Sequence, residues 1–445
     1  MTTFSNRIGK ALLLLALLPA ACAQAQKPFF SEAPTNSSTL VPSAAQPISE
    51  SYFGMHIHRA VQTQPWLPNG DKLTPWPTVK FGSWRLWDAY VAWPSLEPEN
   101  GKWNFATLDK YVAMAKLTGV DLLMPLGLTP TWASARPDET SGYHPGNAAE
   151  PRDIEAWRNY VRTVATRYKG RIHAYELWNE VNYKQFYSGS PEKLVELARV
   201  AYETLKEVDP DVIVVSPSVT GGERHMKWLD DYLANGGGQY ADVISYHFYV
   251  PKDSPEAMLP LIQQVQAIMH KHKQDHKPLW NTETGWWLVN HPDSPRVGAA
   301  GADWLKLDNE RASAFVARAL ILGWSAGVSR YYWYAWDNMD MGLIEPSTLS
   351  IKPAAQAYDK TVHWLLGANL GSCDNTGNKW ICPMQRKSGG RAWVVWSGNN
   401  SKMAWTIPTA WNIKNIERLD GGSFQLLSNN KITVSGTPIL LIADP

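Results

Sequence analysis

Eight short strand-like runs recur between residues 50 and 340, and segments with helical spacing of apolar residues separate them. Regular alternation of strands with helices predicts an α/β fold with a parallel sheet. Eight such units are the number that closes a (β/α)8 TIM barrel. The runs are predicted at 52–58, 80–86, 121–128, 171–178, 211–216, 242–249, 278–283 and 328–334.

Helix signals between these runs support the barrel. Ser190-Pro191-Glu192 and Ser254-Pro255-Glu256 each offer an N-cap serine, a proline at the first helical position and an acid beside the helix dipole. Between Trp157 and Tyr168, apolar residues recur at helical spacing. That spacing indicates a helix face packed on a sheet, not a cofactor site.

The pattern changes after residue 367, which predicts a barrel over 49–367 and a separate small domain over 368–445. Short alternating runs such as 392–396 and 439–442, with Gly and Asn turns between them, predict an antiparallel, β-sandwich-like domain. Tryptophans in this domain either bind glycan or form its own core. They are Trp380, Trp393, Trp396, Trp405 and Trp411.

The first 25 residues read as an export signal, in which basic residues precede the apolar run 11–18 and small residues follow it. Two processing routes are open: cleavage before Gln26, or lipid attachment at Cys22. Residues 26–48 are rich in Ser, Pro, Thr and Ala and are predicted to be a leader. We therefore expect a periplasmic or extracellular protein, free or held as an outer-membrane lipoprotein.

The composition of the chain limits the classes of molecule that it is expected to bind. Lys plus Arg (42) nearly equals Asp plus Glu (41), so no global field favours nucleic acid or an anionic membrane. No apolar stretch beyond the signal reaches the ~20 residues that a membrane span needs. The histidines are scattered without ligand spacing, so no metal and no cofactor is predicted. Cys373 and Cys382 are close enough to pair in an oxidising compartment.

Two of the strand-like runs end in a glutamate, Glu180 after Trp178-Asn179 and Glu283 between two threonines. Side chains at the carboxyl ends of barrel strands meet at one mouth. Cleavage of a glycosidic bond requires one carboxylic acid to protonate the departing oxygen and one carboxylate to act on the anomeric carbon. The pair therefore predicts a glycosidase.

The surroundings of the two glutamates predict their roles. An apolar wall and an amide precede Glu180 and favour its protonated form, which makes it the expected general acid/base. Hydrogen-bond donors such as His247 and Tyr249, from another strand-like run, are expected to hold Glu283 ionised as the nucleophile.

The sequence resembles the retaining glycoside hydrolases of clan A, and within that clan the family 39-like enzymes, over roughly residues 50 to 366. The resemblance is carried by Asn179-Glu180, Glu283 on a later strand, Arg85 after an early strand, and the segment from Trp93-Pro94 to Asn104-Phe105. That group includes xylosidases, iduronidases and endoglycosidases of bacterial exopolysaccharide and biofilm matrices, and the last are nearest in length and envelope location.

The resemblance implies a role for each matching residue. Glu180 becomes the acid/base at the end of the fourth barrel strand, and Glu283 the nucleophile at the end of the seventh. Asn179 is expected to bind the sugar hydroxyl next to the anomeric carbon. Arg85, with either Tyr249 or His247, is expected to contact the nucleophile.

Further candidates for substrate contacts lie at predicted strand ends. Of His56 and His58, one side chain is expected to face into the barrel and the other toward the surrounding helices. Aromatic residues are expected to offer ring platforms at the barrel mouth, with Asp88 beside them. These aromatic candidates are Trp87, Trp132, Trp333 and Trp336.

Together these features predict a retaining glycosidase that cleaves a polysaccharide or oligosaccharide by double displacement. The polymer is expected to be a bacterial exopolysaccharide or a β-glycan. A transglycosylase would share the first chemical step, a non-catalytic glycan-binding protein would bind without releasing product, and an interaction protein would need an exposed apolar patch. The loops 62–79, 130–150 and 285–307 are expected to shape the cleft.

Overall fold

The computed structural model describes residues 46–65, 69–292, 303–426 and 430–443. Within these residues, eight parallel strands pair in the order 5-4-3-2-1-8-7-6, and a parallel bridge between Val215 and Val243 joins the two ends of the sheet. The predicted barrel is confirmed. The barrel strands are Phe53–His56, Ser83–Arg85, Asp121–Leu126, Ala174–Leu177, Ile213–Val215, Ile244–Tyr246, Leu279–Thr284 and Val328–Trp333.

The predicted runs extend beyond most of the observed strands. The sixth strand, for example, ends at Tyr246, whereas the run continues to residue 249. The extra residues lie past the regular ladder, at the carboxyl ends where polar side chains converge, and His247 forms one isolated parallel bridge with Thr220 there. The strand-like composition therefore continues from the sheet into the mouth of the barrel.

An apolar floor fills the centre of the barrel. Gly54 of the first strand has no side chain, and a Cβ there would lie 2.5 Å from the Tyr332 ring, so the glycine makes room for that ring. This interior cluster consists of Leu123, Ala174, Ile213, Val215, Val243, Trp280 and Tyr332. Polar groups above it are consequently shut off from solvent on the lower side.

Helices surround the barrel and pack their apolar faces on it. Ser190 caps its helix by accepting a hydrogen bond from the Lys193 amide. Ser254 makes no such bond, because a 3-10 turn over Pro255–Ala257 precedes the helix there. The α-helices are Trp93–Leu96, Ala106–Thr118, Ile154–Tyr168, Pro191–Val208, Glu223–Ala234, Met258–Lys271, Asn309–Ser325 and Pro353–Leu365.

After the last helix the chain forms the predicted antiparallel β domain. One sheet joins seven strands, and a second pairs Met403–Thr406 with Lys431–Val434. The seven strands are Asn369–Leu370, Asp374–Thr376, Lys379–Gln385, Arg391–Ser397, Ile413–Arg418, Ser423–Phe424 and Ile439–Ala443. Cys373 and Cys382 form a disulfide within this region.

The tryptophans of the β domain stack on one another. Trp380 lies parallel to Trp396, and Trp393 lies parallel to Trp411 with ring centroids 4.3 Å apart. Trp405 packs edge-on against Trp411. These contacts match the packing alternative for the aromatic residues of this domain.

A buried polar contact joins the β domain to the barrel. Arg318, on the helix Asn309–Ser325, is fully buried and pairs with Glu256. The indole of Trp396 donates to the same carboxylate at 2.7 Å, and Arg318 also donates to the side chain of Asn400. The domain is thus fixed to the helical layer by groups that satisfy one another.

The predicted signal and leader fall largely on residues 1–45, outside the described residues. Among the helices that the structure describes, none combines the length and the apolarity that crossing a membrane requires.

Candidate active site

Glu180 and Glu283 lie together at the mouth of the barrel. A carboxylate oxygen of each, together with a ring nitrogen of His247, forms a group whose atoms all lie within 4.8 Å of one another. The Glu180 side chain is 13% exposed and that of Glu283 is 9% exposed. Both carboxyl groups are therefore largely withdrawn from water yet still reachable.

An unusual backbone path directs Glu180 into the site. Trp178 and Glu180 have φ angles of 73° and 45°, in the left-handed region that non-glycine residues rarely adopt. The Trp178 amide donates to the Leu126 carbonyl at 2.7 Å, and the Glu180 amide donates to the Ser218 hydroxyl at 3.2 Å. The neighbouring strands hold the strained turn, as is common at functional sites.

A β-bulge in the seventh strand directs the side chain of Glu283 into the site. Tyr331 pairs with Asn281 and Trp333 pairs with Thr284. Between these two pairs, the seventh strand therefore contains one more residue than the eighth. Regular alternation would put Thr282 and Glu283 on opposite faces. The extra residue lets Thr282 contact Glu176 and Glu283 contact Arg85 inside the barrel. Bulges commonly re-aim side chains in this way next to active sites.

Arg85 is the hub of the site. A guanidinium has five N–H donors, and the contacts of Arg85 occupy them all. Nε and Nη2 approach Glu176, at 2.7 and 2.6 Å, and Nη2 also donates to Asn179. Nη1 donates to Glu283 at 2.8 Å and contacts His56 Nε2 at 3.1 Å. One cation thereby contacts four residues of the site.

Glu176 is part of this network, and the sequence reasoning gave it no role. It is fully buried and also accepts a hydrogen bond from the Thr282 hydroxyl at 2.7 Å. Strand alternation places it on the same face as Ala174, a residue of the barrel floor. A glutamate at an inward position of a barrel strand is the signal that could have identified it.

The structure separates the two candidates for the nucleophile contact. The Tyr249 hydroxyl donates to Glu283 at 2.9 Å, whereas His247 Nδ1 lies 3.0 Å from Glu180 and 4.0 Å from Glu283. Burial lowers the pKa of His247 to about 4, so the ring is neutral at neutral pH. Tyr249 is thus the partner of Glu283, and His247 the partner of Glu180.

Burial dominates the ionisation of both glutamates. Desolvation raises the pKa of Glu180 to about 7, against the opposing effect of Arg85. Desolvation also raises the pKa of Glu283 to about 7, although His247 and Arg85 act to lower it. The loss of water thus outweighs the donors in setting the pKa of Glu283, and the expectation that they hold it ionised stays a prediction.

The expected opposite orientation of His56 and His58 is also wrong. Their ring centroids are 6.5 Å apart, and both rings pack on Tyr334. Side chains two residues apart along a strand share a face. His56 contacts Arg85, whereas His58 lies beside Asp337, whose carboxylate accepts from the His58 amide at 2.8 Å.

The predicted tryptophan platforms are mostly engaged elsewhere. Trp333 is fully buried and stacks on Trp286 in the helical layer, and Trp336 is 2% exposed. Neither offers a free ring face, so these two expectations are corrected. Trp132 packs edge-on against Trp93 and donates to the Glu97 carbonyl.

Tyrosines supply exposed rings near the glutamates instead. Tyr143 and Tyr183 are 39% and 36% exposed. Burial raises the pKa of both phenols; Asp88 and then the two glutamates add to the rise for Tyr143, and Glu180 adds to it for Tyr183. Tyr143 donates to Asp88, as does Tyr334, each at 2.7 Å. The sequence reasoning missed these tyrosines because their positions lie in loops beyond the predicted strands.

The convergence of Glu180, His247 and Glu283 offers potential metal ligands. His247 Nδ1 is already within hydrogen-bond distance of Glu180. The expectation that the site works without a metal or a cofactor stays a prediction.

An eight-stranded barrel with glutamates at the ends of its fourth and seventh strands has the architecture of the class that the sequence resembles, the clan A glycoside hydrolases. The sequence pattern of "Glycosyl hydrolases family 39" matches residues 88–285. That interval contains Glu180 and Glu283 and begins three residues after Arg85. The predicted resemblance is confirmed: over this interval the chain is similar to the family 39 glycoside hydrolases.

Two relatives of known name are similar to this chain in sequence. A β-xylosidase of Geobacillus stearothermophilus is 24% identical over 363 residues, which cover 71% of this chain and 67% of that protein. Endo-1,4-β-xylanase C of Paenibacillus barcinonensis is 24% identical over 48% of this chain, which spans only 21% of that longer protein.

Solved structures share the fold. A family 39 glycoside hydrolase from Bacteroides cellulosilyticus aligns with a TM-score of 0.68 at 18% identity, over 90% of this chain and 82% of that one. A family 39 β-xylosidase from Caulobacter crescentus aligns with a TM-score of 0.59 at 15% identity, over 91% and 98% of the two chains.

Proposed function

We propose that this protein is a retaining glycosidase that cleaves O-glycosidic bonds of a polysaccharide or oligosaccharide. The observation that carries the proposal is the approach of Glu180 and Glu283 within 4.8 Å at the barrel mouth. Retaining enzymes hold their two carboxyl groups about 5–5.5 Å apart, whereas inverting enzymes leave about 6.5–9.5 Å for a water molecule. The observed separation favours direct attack by one carboxylate.

In the first step, a Glu283 oxygen bonds to the anomeric carbon while the bond to the leaving oxygen breaks. Glu180 gives its proton to that oxygen. In the second step, water gives a proton to Glu180 and its oxygen bonds to the anomeric carbon, which releases Glu283 as a carboxylate. Each group ends the cycle as it began.

The electrostatics of the site suit this cycle. Two carboxyl groups with pKa values near 7 in close contact do not readily ionise together, because like charges repel in a desolvated site. The singly protonated pair is the state that the first step requires. Arg85 and Tyr249 both donate to Glu283, which favours the charge there and the proton on Glu180.

We propose a β-linked polymer as the substrate. The names of the curated relatives refer to β-xylosidase and endo-1,4-β-xylanase activity, which supports β-xylan as one candidate. Bacterial exopolysaccharide is the other, from the predicted export of the chain. The exposed rings of Tyr143 and Tyr183 on either side of Glu180 in sequence are suited to stack on sugar faces.

We also propose that the protein acts in the periplasm or outside the cell, which the sequence of residues 1–25 supports. Mass spectrometry of the mature amino terminus from native cells tests this proposal and the processing route. A terminus at Gln26 indicates plain cleavage, a lipidated Cys22 indicates a lipoprotein, and an intact Met1 overturns the proposal.

The test of catalysis is product analysis. Purified protein is incubated with xylan, other β-glycans and bacterial exopolysaccharides, and products are identified by mass spectrometry. The configuration of the first anomer released is read by NMR. Retained configuration supports double displacement, whereas inverted configuration or binding without product overturns it. Product lengthening would indicate a transglycosylase.

Two variants assign the roles. With an activated aryl β-glycoside, Glu283→Ala is expected to lose hydrolysis and to form the α-glycosyl azide when azide is supplied. Glu180→Ala is expected to keep turnover of activated substrates and to form the β-glycosyl azide. The reverse pattern would exchange the two roles.

A further inference from the structure

A fully buried carboxylate, Glu176, lies beneath the two glutamates and takes no part in the bond-breaking steps. Burying a charge is costly unless it is paired and hydrogen-bonded. Glu176 is paired with Arg85 through Oε2 and accepts from Thr282 through Oε1. The geometry of these contacts says what the residue does for the site.

The contacts of Arg85 divide it into a fixed edge and a working edge. Glu176 holds the Nε and Nη2 edge, at 2.7 and 2.6 Å, on the barrel side of the guanidinium. Of the remaining hydrogens, one on Nη1 points at Glu283 at 2.8 Å, one on Nη2 points at Asn179 at 2.6 Å, and the second on Nη1 points at His56. A guanidinium is rigid and planar, so fixing one edge fixes the other.

Charge is the second contribution. Without Glu176, the full charge of Arg85 would act on Glu283 across a buried contact, where attraction is strong. A carboxylate held tightly in such an ion pair is a weaker nucleophile, and its neighbour Glu180 would lose its proton more easily. Glu176 shares the cation, so that Arg85 orients Glu283 without neutralising it.

We propose that Glu176 is a positioning residue that sets the orientation and the effective charge of Arg85 for the Glu180–Glu283 pair. The proposal deepens the retaining mechanism and rests on it for its kinetic consequences. Its structural and electrostatic consequences can be measured without any substrate.

The test compares Glu176→Gln with a matched control, Glu97→Gln. Glu97 is also fully buried, but its carboxylate accepts from the Trp93 indole and the Gly101 amide and not from Arg85. Carbon-13 NMR of carboxyl-labelled glutamate gives the apparent pKa values of the Glu180–Glu283 pair. Glu180→Gln and Glu283→Gln assign its signals.

Glu176→Gln is expected to lower the apparent pKa values of the pair by on the order of one unit, because Arg85 loses a negative partner. Glu97→Gln is expected to leave them in place. Unchanged values in Glu176→Gln, or an equal shift in both variants, would overturn the proposal. This readout remains valid even if the protein proves not to be a glycosidase.

Kinetics supply the second readout. With an activated aryl β-glycoside that the wild type cleaves, Glu176→Gln is expected to lower kcat by about 10- to 100-fold. KM changes little, and the alkaline limb of the pH profile moves to lower pH. Loss of activity in proportion to loss of folded protein, with an unmoved pH profile, would indicate a merely structural role.

Discussion

Replacing Glu180 with glutamine should stabilise the protein at alkaline pH. The pKa of Glu180 rises from 4.5 to about 7 on folding, mainly through desolvation. A folded carboxyl with a raised pKa keeps its full stability below the unfolded pKa and loses it as pH rises through the folded pKa. Wild-type Glu180 therefore destabilises the fold increasingly between about pH 4.5 and 7.

The size of the effect follows from the shift. One pKa unit corresponds to about 1.4 kcal/mol, so ionising Glu180 costs about 3 kcal/mol once it is fully charged. Glutamine has the same shape, stays neutral and still accepts a hydrogen bond from His247. The free energy of unfolding of the variant, relative to that of the wild type, is expected to be higher at pH 8.5 than at pH 5 by about 2 to 3 kcal/mol.

Thermal unfolding of the two proteins at both pH values measures this difference. Glu203→Gln is the control, because that side chain is 48% exposed and pairs with Arg199 on the surface of a helix. Its effect should not change with pH by more than about 0.5 kcal/mol. A Glu180→Gln variant whose advantage is the same at pH 5 and pH 8.5, or larger at pH 5, would refute the reasoning.

Two further substitutions probe the site. Tyr249→Phe removes the hydroxyl that donates to Glu283 at 2.9 Å. It should lower kcat/KM by about 10- to 100-fold and raise the apparent pKa of the acidic limb of the pH profile, and an unchanged profile would contradict this role. Tyr183→Ala removes an exposed ring near the predicted acid and should lower kcat/KM by about tenfold on oligosaccharides but not on aryl glycosides. Tyr183→Phe is its control, and equal losses on both substrate types would place the ring outside the leaving-group side.

Sequence patterns predicted the architecture because each barrel unit carries its own local signal. Strand-like and helical spacing predicted all eight barrel strands, and the change to short alternating runs after residue 367 predicted the β domain. Strand ends were less well defined, because residues such as His247 and Tyr249 have strand-like composition but lie beyond the regular strand, which ends at Tyr246. Ser254 shows the same limit for helices, since a capping sequence was followed by a 3-10 turn.

Individual site contacts were harder to predict than the site itself. The sequence pattern predicted that one mouth of the barrel contains Glu180, Glu283, Arg85 and Asn179, because the carboxyl ends of parallel strands lie at the same end of a barrel. The sequence did not decide whether Tyr249 or His247 contacts Glu283. Trp333 was misplaced because one step along a strand reverses the direction of a side chain.

What the sequence by itself determined is therefore the barrel, the β domain and the meeting of two glutamates at one mouth, since periodicity and strand direction are local properties. Only the tertiary structure decided the bulge that turns Glu283 inward, the pairing of Glu176 with Arg85, and the burial that raises the pKa values of Glu180 and Glu283. Those features depend on distances between residues far apart in the chain and on the exclusion of water, which arise only when the barrel closes.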